Sequence, residues 1–87
     1  MIKIIKYSKA NCSPCFTQAI ILKQLAQKVI FFSEERNVLE TEKSDLVKFG
    51  ITGVPHLLIY WNDELLYSKS GLVKLDTLLD ILVDKLA

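Results

Sequence analysis

The stretch Ile2–Cys15, IKIIKYSKANCSPC, joins an apolar, β-branched run to a Cys-x-x-Cys motif. The run from Ile2 to Tyr7 predicts a buried strand. The polar residues 8–11 predict a loop, with Asn11 as the N-cap of a following helix. Pro14 falls in the first turn of that helix, where its missing N–H costs little. The sequence therefore predicts both cysteines at a strand-to-helix junction.

Apolar spacing extends the helix to about Lys28 and predicts which of its residues face a core. These residues are Cys15, Phe16, Ala19, Ile20, Leu22, Ala26 and Val29. Residues 29–32 predict a second buried strand, so the strand–helix–strand order implies a right-handed parallel crossover. Residues 33–40 predict a loop. Residues 41–49 predict a short helix, with Leu46 and Phe49 turned inward, that ends at Gly50.

A hairpin and a final helix complete the pattern. Residues 57–61 and 65–69 predict strands joined by a turn at 62–64. After Gly71, a helix places its leucines on one face: Leu75, Leu78, Leu79, Leu82 and Leu86. The aspartates opposite them, Asp76, Asp80 and Asp84, predict a solvated face and no metal site. The order β-α-β-α-β-β-α predicts a single α/β domain over residues 1–87, with a four-stranded mixed sheet flanked by three helices.

Composition and charge narrow the possible functions. The 87 residues are 51% hydrophobic, with three glycines and two prolines, which is typical of one small globular domain. Eleven basic and ten acidic residues leave a net charge of +1. Nucleic acids and anionic membranes need a clustered basic face, and here the basic residues are scattered. No signal peptide or membrane span is predicted, so we expect a cytoplasmic monomer.

Two cysteines at this spacing can exchange between a dithiol and a disulfide. A free cysteine has a pKa of about 8.5, and the positive end of a helix dipole favours its thiolate. Lys9 adds positive charge nearby. Cys12, at the helix start, is the predicted exposed nucleophile. Cys15, one turn further on the core face, is the predicted resolving thiol.

Two interpretations other than redox exchange are open for the cysteine pair. The pair could be inert core cysteines. It could also bind Cu(I), because a Cys-x-x-Cys motif after a first strand occurs in small copper chaperones and two thiolates suit that ion. Those chaperones usually carry a methionine before the pair and end in a strand, whereas Met1 is the only methionine here. Structural zinc needs four ligands, and His56 is the only histidine to join two cysteines. No metal site is predicted.

The stretch Gly50–Tyr60, GITGVPHLLIY, carries the second motif. Pro55 opens a buried strand, where a residue without an N–H is tolerated. This stretch resembles the segment of the thioredoxin superfamily that carries a cis-proline. Gly71 and the leucine-rich helix follow at thioredoxin's own spacing. The resemblance covers essentially the whole chain, at a glutaredoxin-like length, and implies a minimal thioredoxin-like fold.

The resemblance also implies an activity and a docking surface. It implies reduction of protein disulfides, with no cofactor beyond the Cys12–Cys15 disulfide. A thioredoxin reductase would supply electrons, and ribonucleotide reductase is one expected client. The Val54–Pro55 bond would be cis, and the Val54 peptide would pair with substrate backbone. The docking surface would comprise Asn11, Ser13, Pro14, Val54, Pro55 and Leu72.

Several positions depart from the family pattern. Asn11 stands where thioredoxin has Trp, and Lys6 occupies the slot of a buried acid that assists the second cysteine. Glutaredoxins carry Thr-Val-Pro and a Gly-Gly-x-Asp-type motif, whereas this chain has Gly-Val-Pro and Gly71 alone. A glutathione-linked or oxidising role is therefore the alternative. His56 could favour the Cys12 thiolate as a cation, or it could pair into the sheet and point away from the cysteines.

Overall fold

In the computed structural model, which describes residues 1–86, three α-helices flank a four-stranded sheet. The strands are β1 (Ile2–Ser8), β2 (Phe32–Asn37), β3 (His56–Trp61) and β4 (Glu64–Ser70). The helices are α1 (Ser13–Ala26), α2 (Lys43–Lys48) and α3 (Leu75–Leu86), with a 3-10 turn at Val38–Glu40. The predicted mixed α/β fold is confirmed. Of the predicted domain 1–87, Ala87 lies outside the described residues.

The strand order is β2-β1-β3-β4, so β1 lies inside the sheet. It pairs with β2 in parallel and with β3 in antiparallel orientation, and β3 pairs with β4 in antiparallel orientation. The parallel β1–β2 pair is connected through α1, as the strand–helix–strand pattern predicts. Because β1 ends at the start of α1, the Cys-x-x-Cys motif lies at the end of a central strand.

Alternate residues of the central strands supply an apolar core on each face of the sheet. The larger core lies against α1 and α3 and comprises Ile2, Ile4, Leu25, Val29, Leu57, Ile59, Val73, Leu78 and Leu82. The smaller core comprises Ile5, Tyr7 and Leu58, with Phe49, Ile51, Val54 and Tyr60 packed against it. In α3 the three aspartates are exposed, as predicted. Leu86, predicted on the buried face, is 49% exposed at the end of the helix.

The prediction of β2 is wrong in position. The strand runs over Phe32–Asn37, so it shares only Phe32 with the predicted strand and otherwise lies in the predicted loop, and Ile30 of the predicted strand is 96% exposed. The reason is that β2 lies at the sheet edge, where charged side chains replace apolar burial. Glu34 pairs with Lys3 at 3.4 Å, and Glu35 pairs with Lys6 at 2.6 Å. Such pairs suit a strand that is solvated along one side.

The prediction of helix α1 is confirmed, and its predicted inward face is wrong in part: Cys15 and Val29 are buried, whereas Ala26 is exposed. The helix ends at Ala26, two residues before the predicted end. Its buried residues are Cys15, Gln18 and Leu25, whereas Phe16 and Ile20 are 68% and 58% exposed. The polar Gln18 faces inward because its amide group hydrogen-bonds to the backbone of another segment.

The remaining elements follow the prediction closely. Helix α2 is shorter than predicted, and Gly50 after it has φ of 66°, a left-handed conformation that favours glycine. Leu46 and Phe49 are half-buried. The hairpin turns at residues 62–63, where Asn62 has φ of 53°. Over residues 1–86, no helix combines the length and apolar character that crossing a membrane requires.

Candidate active site

Cys12 and Cys15 form a disulfide at the first turn of α1, with sulfurs 2.08 Å apart and Cα atoms 5.2 Å apart. Cys12 is itself the N-cap, and the Cys15 backbone N–H donates to the Cys12 sulfur at 3.2 Å. Asn11, the predicted N-cap, instead has φ of 58°. Asparagine tolerates this left-handed conformation, which turns the chain from the loop into the helix.

The predicted contrast between an exposed Cys12 and a buried Cys15 is wrong for this oxidised pair. Cys12 is 6% exposed and Cys15 is 5% exposed. The cap position explains the difference, because it folds the Cys12 sulfur back over the helix start. The two cysteines differ in their surroundings. The Cys12 sulfur contacts a neighbouring loop, whereas Cys15 belongs to the first turn of α1 and its carbonyl contacts Lys6 of β1.

That neighbouring loop carries Val54 and Pro55. The Val54–Pro55 peptide bond is cis, as the family resemblance implies. The Val54 carbonyl oxygen lies 4.0 Å from the Cys12 sulfur. Pro55 is buried, and its carbonyl accepts a hydrogen bond from the Gly71 N–H at 2.8 Å. The fold thus brings the two sequence motifs together.

The other predicted docking residues are exposed, on two segments that adjoin the disulfide or the cis-proline loop. Asn11, Ser13 and Pro14 are exposed at the start of α1. Leu72 is 44% exposed and follows Gly71, which is bound to Pro55. These residues leave an accessible, modestly apolar surface beside the cysteines.

A cavity of about 620 Å³ opens on the other side of the cysteines. Lys9, the predicted source of positive charge, lines it together with Cys12 and Cys15. Glu35 of β2 and Phe16 of α1 also line it. The cavity is therefore bounded by charged groups of both signs and one exposed aromatic ring.

Lys6 reaches this cavity from β1 beneath the helix. It is 7% exposed, and its ammonium lies 3.4 Å from the Cys15 carbonyl oxygen and 2.6 Å from the Glu35 carboxylate. A buried ammonium requires such partners because desolvation is costly. The Glu35 carboxylate on β2 therefore lies next to the Lys6 ammonium, because the two residues are paired in the β1–β2 register. The sequence did not reveal Glu35, because the pattern predicted a loop there.

His56 is fully buried, and its ring nitrogens face two hydroxyls of β4. The Ser68 hydroxyl donates to the Phe49 carbonyl at 2.8 Å, so the His56 Nε2–H donates to Ser68 Oγ at 3.0 Å. Nδ1 then accepts from the Ser70 hydroxyl at 2.6 Å. Burial lowers the pKa of His56 below its usual 6.5. The hydrogen bonds and the lowered pKa both favour the neutral ring.

The two cysteine sulfurs are the possible metal ligands that this site brings together. Within residues 1–86, no group of three or more His, Cys, Asp or Glu side chains is arranged to hold a metal ion. The site residues that lie together are the two cysteines, the cis-proline loop, Lys6 and Glu35. This arrangement is suited to exchange between a dithiol and a disulfide.

Proteins of solved structure share this architecture. A malarial protein of solved structure superposes with a TM-score of 0.80 at 17% identity, over 100% of this chain and 99% of that chain. A mutant thioredoxin from Halobacterium salinarum gives 0.75 at 19%, over 95% and 73%. Thioredoxin-2, a component of the malaria parasite's protein secretion machinery, gives 0.77 at 18%, over 98% and 82%. No protein-family model and no curated protein sequence matches the chain. The chain has the thioredoxin fold.

Proposed function

We propose that this chain, with its thioredoxin fold, is a thiol–disulfide oxidoreductase that reduces protein disulfides. One observation carries the proposal: the Cys12–Cys15 disulfide caps α1 directly against the cis-proline loop, with the Cys12 sulfur 4.0 Å from the Val54 carbonyl. Ser13 and Pro14 beside the disulfide are exposed, so a second polypeptide can approach it.

In the proposed reaction, the Cys12 thiolate attacks one sulfur of a substrate disulfide. A mixed disulfide forms, and the other substrate sulfur leaves as a thiolate that takes a proton from water. The Cys15 thiolate then attacks the Cys12 sulfur and displaces the second substrate sulfur. The substrate gains two electrons and two protons, and the cysteine pair loses them. A reductase returns the pair to the dithiol form.

The helix start supports Cys12 as the attacking group. In the oxidised form the Cys15 N–H points at the Cys12 sulfur from 3.2 Å, and the positive end of α1 lies at the same place. Both favour an anion on that sulfur. Lowering a thiol pKa by one unit stabilises the thiolate by about 1.4 kcal/mol. Lys9, beside the same cavity, adds in the same direction.

The exposed docking residues support an extended polypeptide as the substrate. Val54 presents a backbone carbonyl beside the Cys12 sulfur, and Pro14 and Leu72 are exposed. An extended segment can pair with such a backbone and leave its side chains to weak apolar contacts. We propose a cytoplasmic monomer reduced by a thioredoxin reductase, with ribonucleotide reductase among its clients.

Insulin reduction with a thioredoxin reductase and NADPH tests the activity. Wild-type protein is expected to turn over, and Cys12→Ser is expected to be inactive because it lacks the nucleophile. Cys15→Ser is expected to accumulate a mixed disulfide with the substrate, visible as a mass increase that dithiothreitol removes. Ser44→Ala, an exposed change in α2, is the matched control. Activity retained in Cys12→Ser would contradict the assigned roles.

The reduction potential of the Cys12–Cys15 pair tests the direction of electron flow. A reductant is expected near the thioredoxin value of about −270 mV. A value near −180 mV, about that of protein disulfide isomerase, would point to an oxidising exchanger instead. Parallel assays with glutathione separate a glutathione-linked reaction from a reductase-linked one. Stoichiometric Cu(I) binding without any disulfide reduction would contradict the proposed enzyme.

A further inference from the structure

Three segments of the chain surround the disulfide and are joined to one another. Helix α1 carries Cys12, whose sulfur lies 4.0 Å from the Val54 carbonyl of the cis-proline loop. The next carbonyl of that loop, on Pro55, accepts a hydrogen bond from the Gly71 N–H at 2.8 Å. The segment between β4 and α3 is therefore held against the loop that contacts the disulfide.

Gln18 joins this segment back to α1. It lies one helical turn after Cys15 and is completely buried. Its Nε2 donates to the Val73 carbonyl at 3.0 Å, and the Val73 N–H donates to its Oε1 at 2.8 Å. The amide group thus pairs with both backbone groups of Val73, as a neighbouring strand would.

Leu72 lies between these two attachments. Gly71, with φ of 108°, is bound to Pro55 on one side, and Val73 is bound to Gln18 on the other. Val73 is 4% exposed and packs in the larger core, whereas Leu72 is 44% exposed. The backbone on both sides of Leu72 is fixed, so its side chain is held toward solvent on the segment that is bound to the cis-proline loop.

We propose that Gln18 is a positioning residue that fixes residues 71–73 as one wall of the docking surface for protein substrates. Through this wall, Leu72 selects an extended polypeptide that carries an apolar side chain beside its disulfide. The inference rests on the proposed function, since it assigns a part of the same site. Gln18 touches neither sulfur nor substrate and acts through Val73.

The placement of a glutamine here supports this role. The neighbouring core is apolar, and a buried amide is costly in such surroundings unless its hydrogen bonds are made. An apolar side chain could fill the same volume but could not hold the backbone of Val73. A purely structural role would affect every reaction of the cysteines equally. A positioning role affects the substrates that touch residues 71–73.

The test compares two substrates of one site. For Gln18→Met, we expect KM for insulin reduction to rise about tenfold with kcat little changed. The rate constant with 2-hydroxyethyl disulfide, which has neither a polypeptide backbone nor an apolar side chain, should stay within about twofold. Leu72→Ala should give the same split, since it removes the selecting side chain without touching Gln18. Gln24→Met, exposed on the same helix, is the control.

Each outcome decides the inference. Equal losses with both substrates, or no loss with insulin, would overturn it. If Gln18→Met fails to fold, Leu72→Ala decides, because an unchanged KM for insulin there would also overturn the selection. Faster hydrogen exchange of the Val73 amide in Gln18→Ala, which removes the acceptor of the Val73 N–H, is expected and would show the release of the wall. A wild-type protein inactive with both disulfides would instead overturn the proposed function.

Discussion

At the scale of single residues, Lys6 is a buried charged side chain in contact with Cys15. It lies on the central strand, and the register pairs it with Glu35 on the edge strand. Its ammonium is buried between the Cys15 carbonyl and the Glu35 carboxylate, whose own side chain is 61% exposed. The positive charge is therefore on the cysteine side and the negative charge on the solvent side. This orientation favours an anion on Cys15 during the resolving step.

Lys6→Met is expected to slow the resolving step about tenfold at neutral pH, as a one-unit change in thiolate stability would. The measurement is the release of the second substrate thiol from a preformed Cys12 mixed disulfide, followed against pH. The charged groups around this cavity are Lys9, Glu35 and Glu40. The pH profile in the variant should shift toward alkaline pH, since the thiolate then loses a cation that lines the same cavity.

The controls for Lys6 separate charge from packing. Lys6→Arg keeps the charge and should retain most of the wild-type rate. Lys3→Met removes an ammonium from the same strand that pairs with Glu34 and is 46% exposed. It should leave the rate unchanged. A Lys6→Met protein with the wild-type pH profile would show that the buried charge serves packing alone.

At the scale of elements, the sequence predicted the number and order of strands and helices but not the position of every one. Strand β2 was missed because edge strands are stabilised by charge pairs, such as Lys6 with Glu35, which are visible only once the register is known. The inward face of α1 was misassigned because hydrophobicity ranks Phe16 above Gln18. The hydrogen-bond partner of Gln18 is 55 residues away in sequence.

Some residues of the candidate site could be predicted from the sequence and others could not. Cys12, Cys15, Val54 and Pro55 could be found because each lies in a short motif whose spacing is local. The Gln18 and Glu35 contributions depend on contacts between distant segments, for which a single sequence carries no direct signal. The N-cap was misassigned to Asn11 because side-chain oxygens are the usual caps, whereas here the Cys12 sulfur accepts the hydrogen bond.

The His56 network joins β3 and β4 to residues 49–52, which lead to the cis-proline loop. Ser68 bonds to the Phe49 carbonyl, and the Ser70 hydroxyl accepts from the Thr52 N–H at 3.1 Å. Protonation would put a second N–H on the ring, facing a Ser70 hydroxyl that now donates to it. The network therefore requires the neutral ring.

This requirement predicts a pH dependence of stability. Burial lowers the pKa of His56 in the folded state below 6.5, so the unfolded state binds the proton more readily. The free energy of unfolding should fall as pH drops below about 6.5, by at most about 1.4 kcal/mol per pH unit for one proton. Urea unfolding at pH 7.5 and 5.5 measures it.

His56→Asn should be less stable at both values and should lack most of this decrease. The Glu34 carboxyl, whose pKa is lowered chiefly by its hydrogen bond with Arg36, contributes only below about 4.5 and lies outside this range. An equal decrease in wild type and His56→Asn would assign the effect to another group.

At the scale of the whole molecule, β1 connects all parts of the structure. Ile4 belongs to the larger core against α1 and α3, and Ile5 belongs to the smaller core on the opposite face. The same strand pairs with two neighbours and ends at the cysteine motif. Its burial on both faces was predictable from its apolar, β-branched run. Since neither core is complete without β1, we expect the faces of the sheet to unfold together.

Urea unfolding followed by two reporters tests this expectation of one cooperative unit over residues 1–87. Trp61, the single tryptophan of the sequence, packs against the larger core and reports on that face. A Phe49→Trp, Trp61→Phe variant reports on the smaller core, where Phe49 is packed. In each protein the fluorescence midpoint should coincide with the midpoint from far-ultraviolet circular dichroism, with a slope of about 1 kcal/mol per molar urea.

An earlier fluorescence transition for the Phe49 reporter alone would mean that α2 and the cis-proline loop open separately. The docking surface would then be mobile on one side of the disulfide and fixed on the side that Gln18 holds.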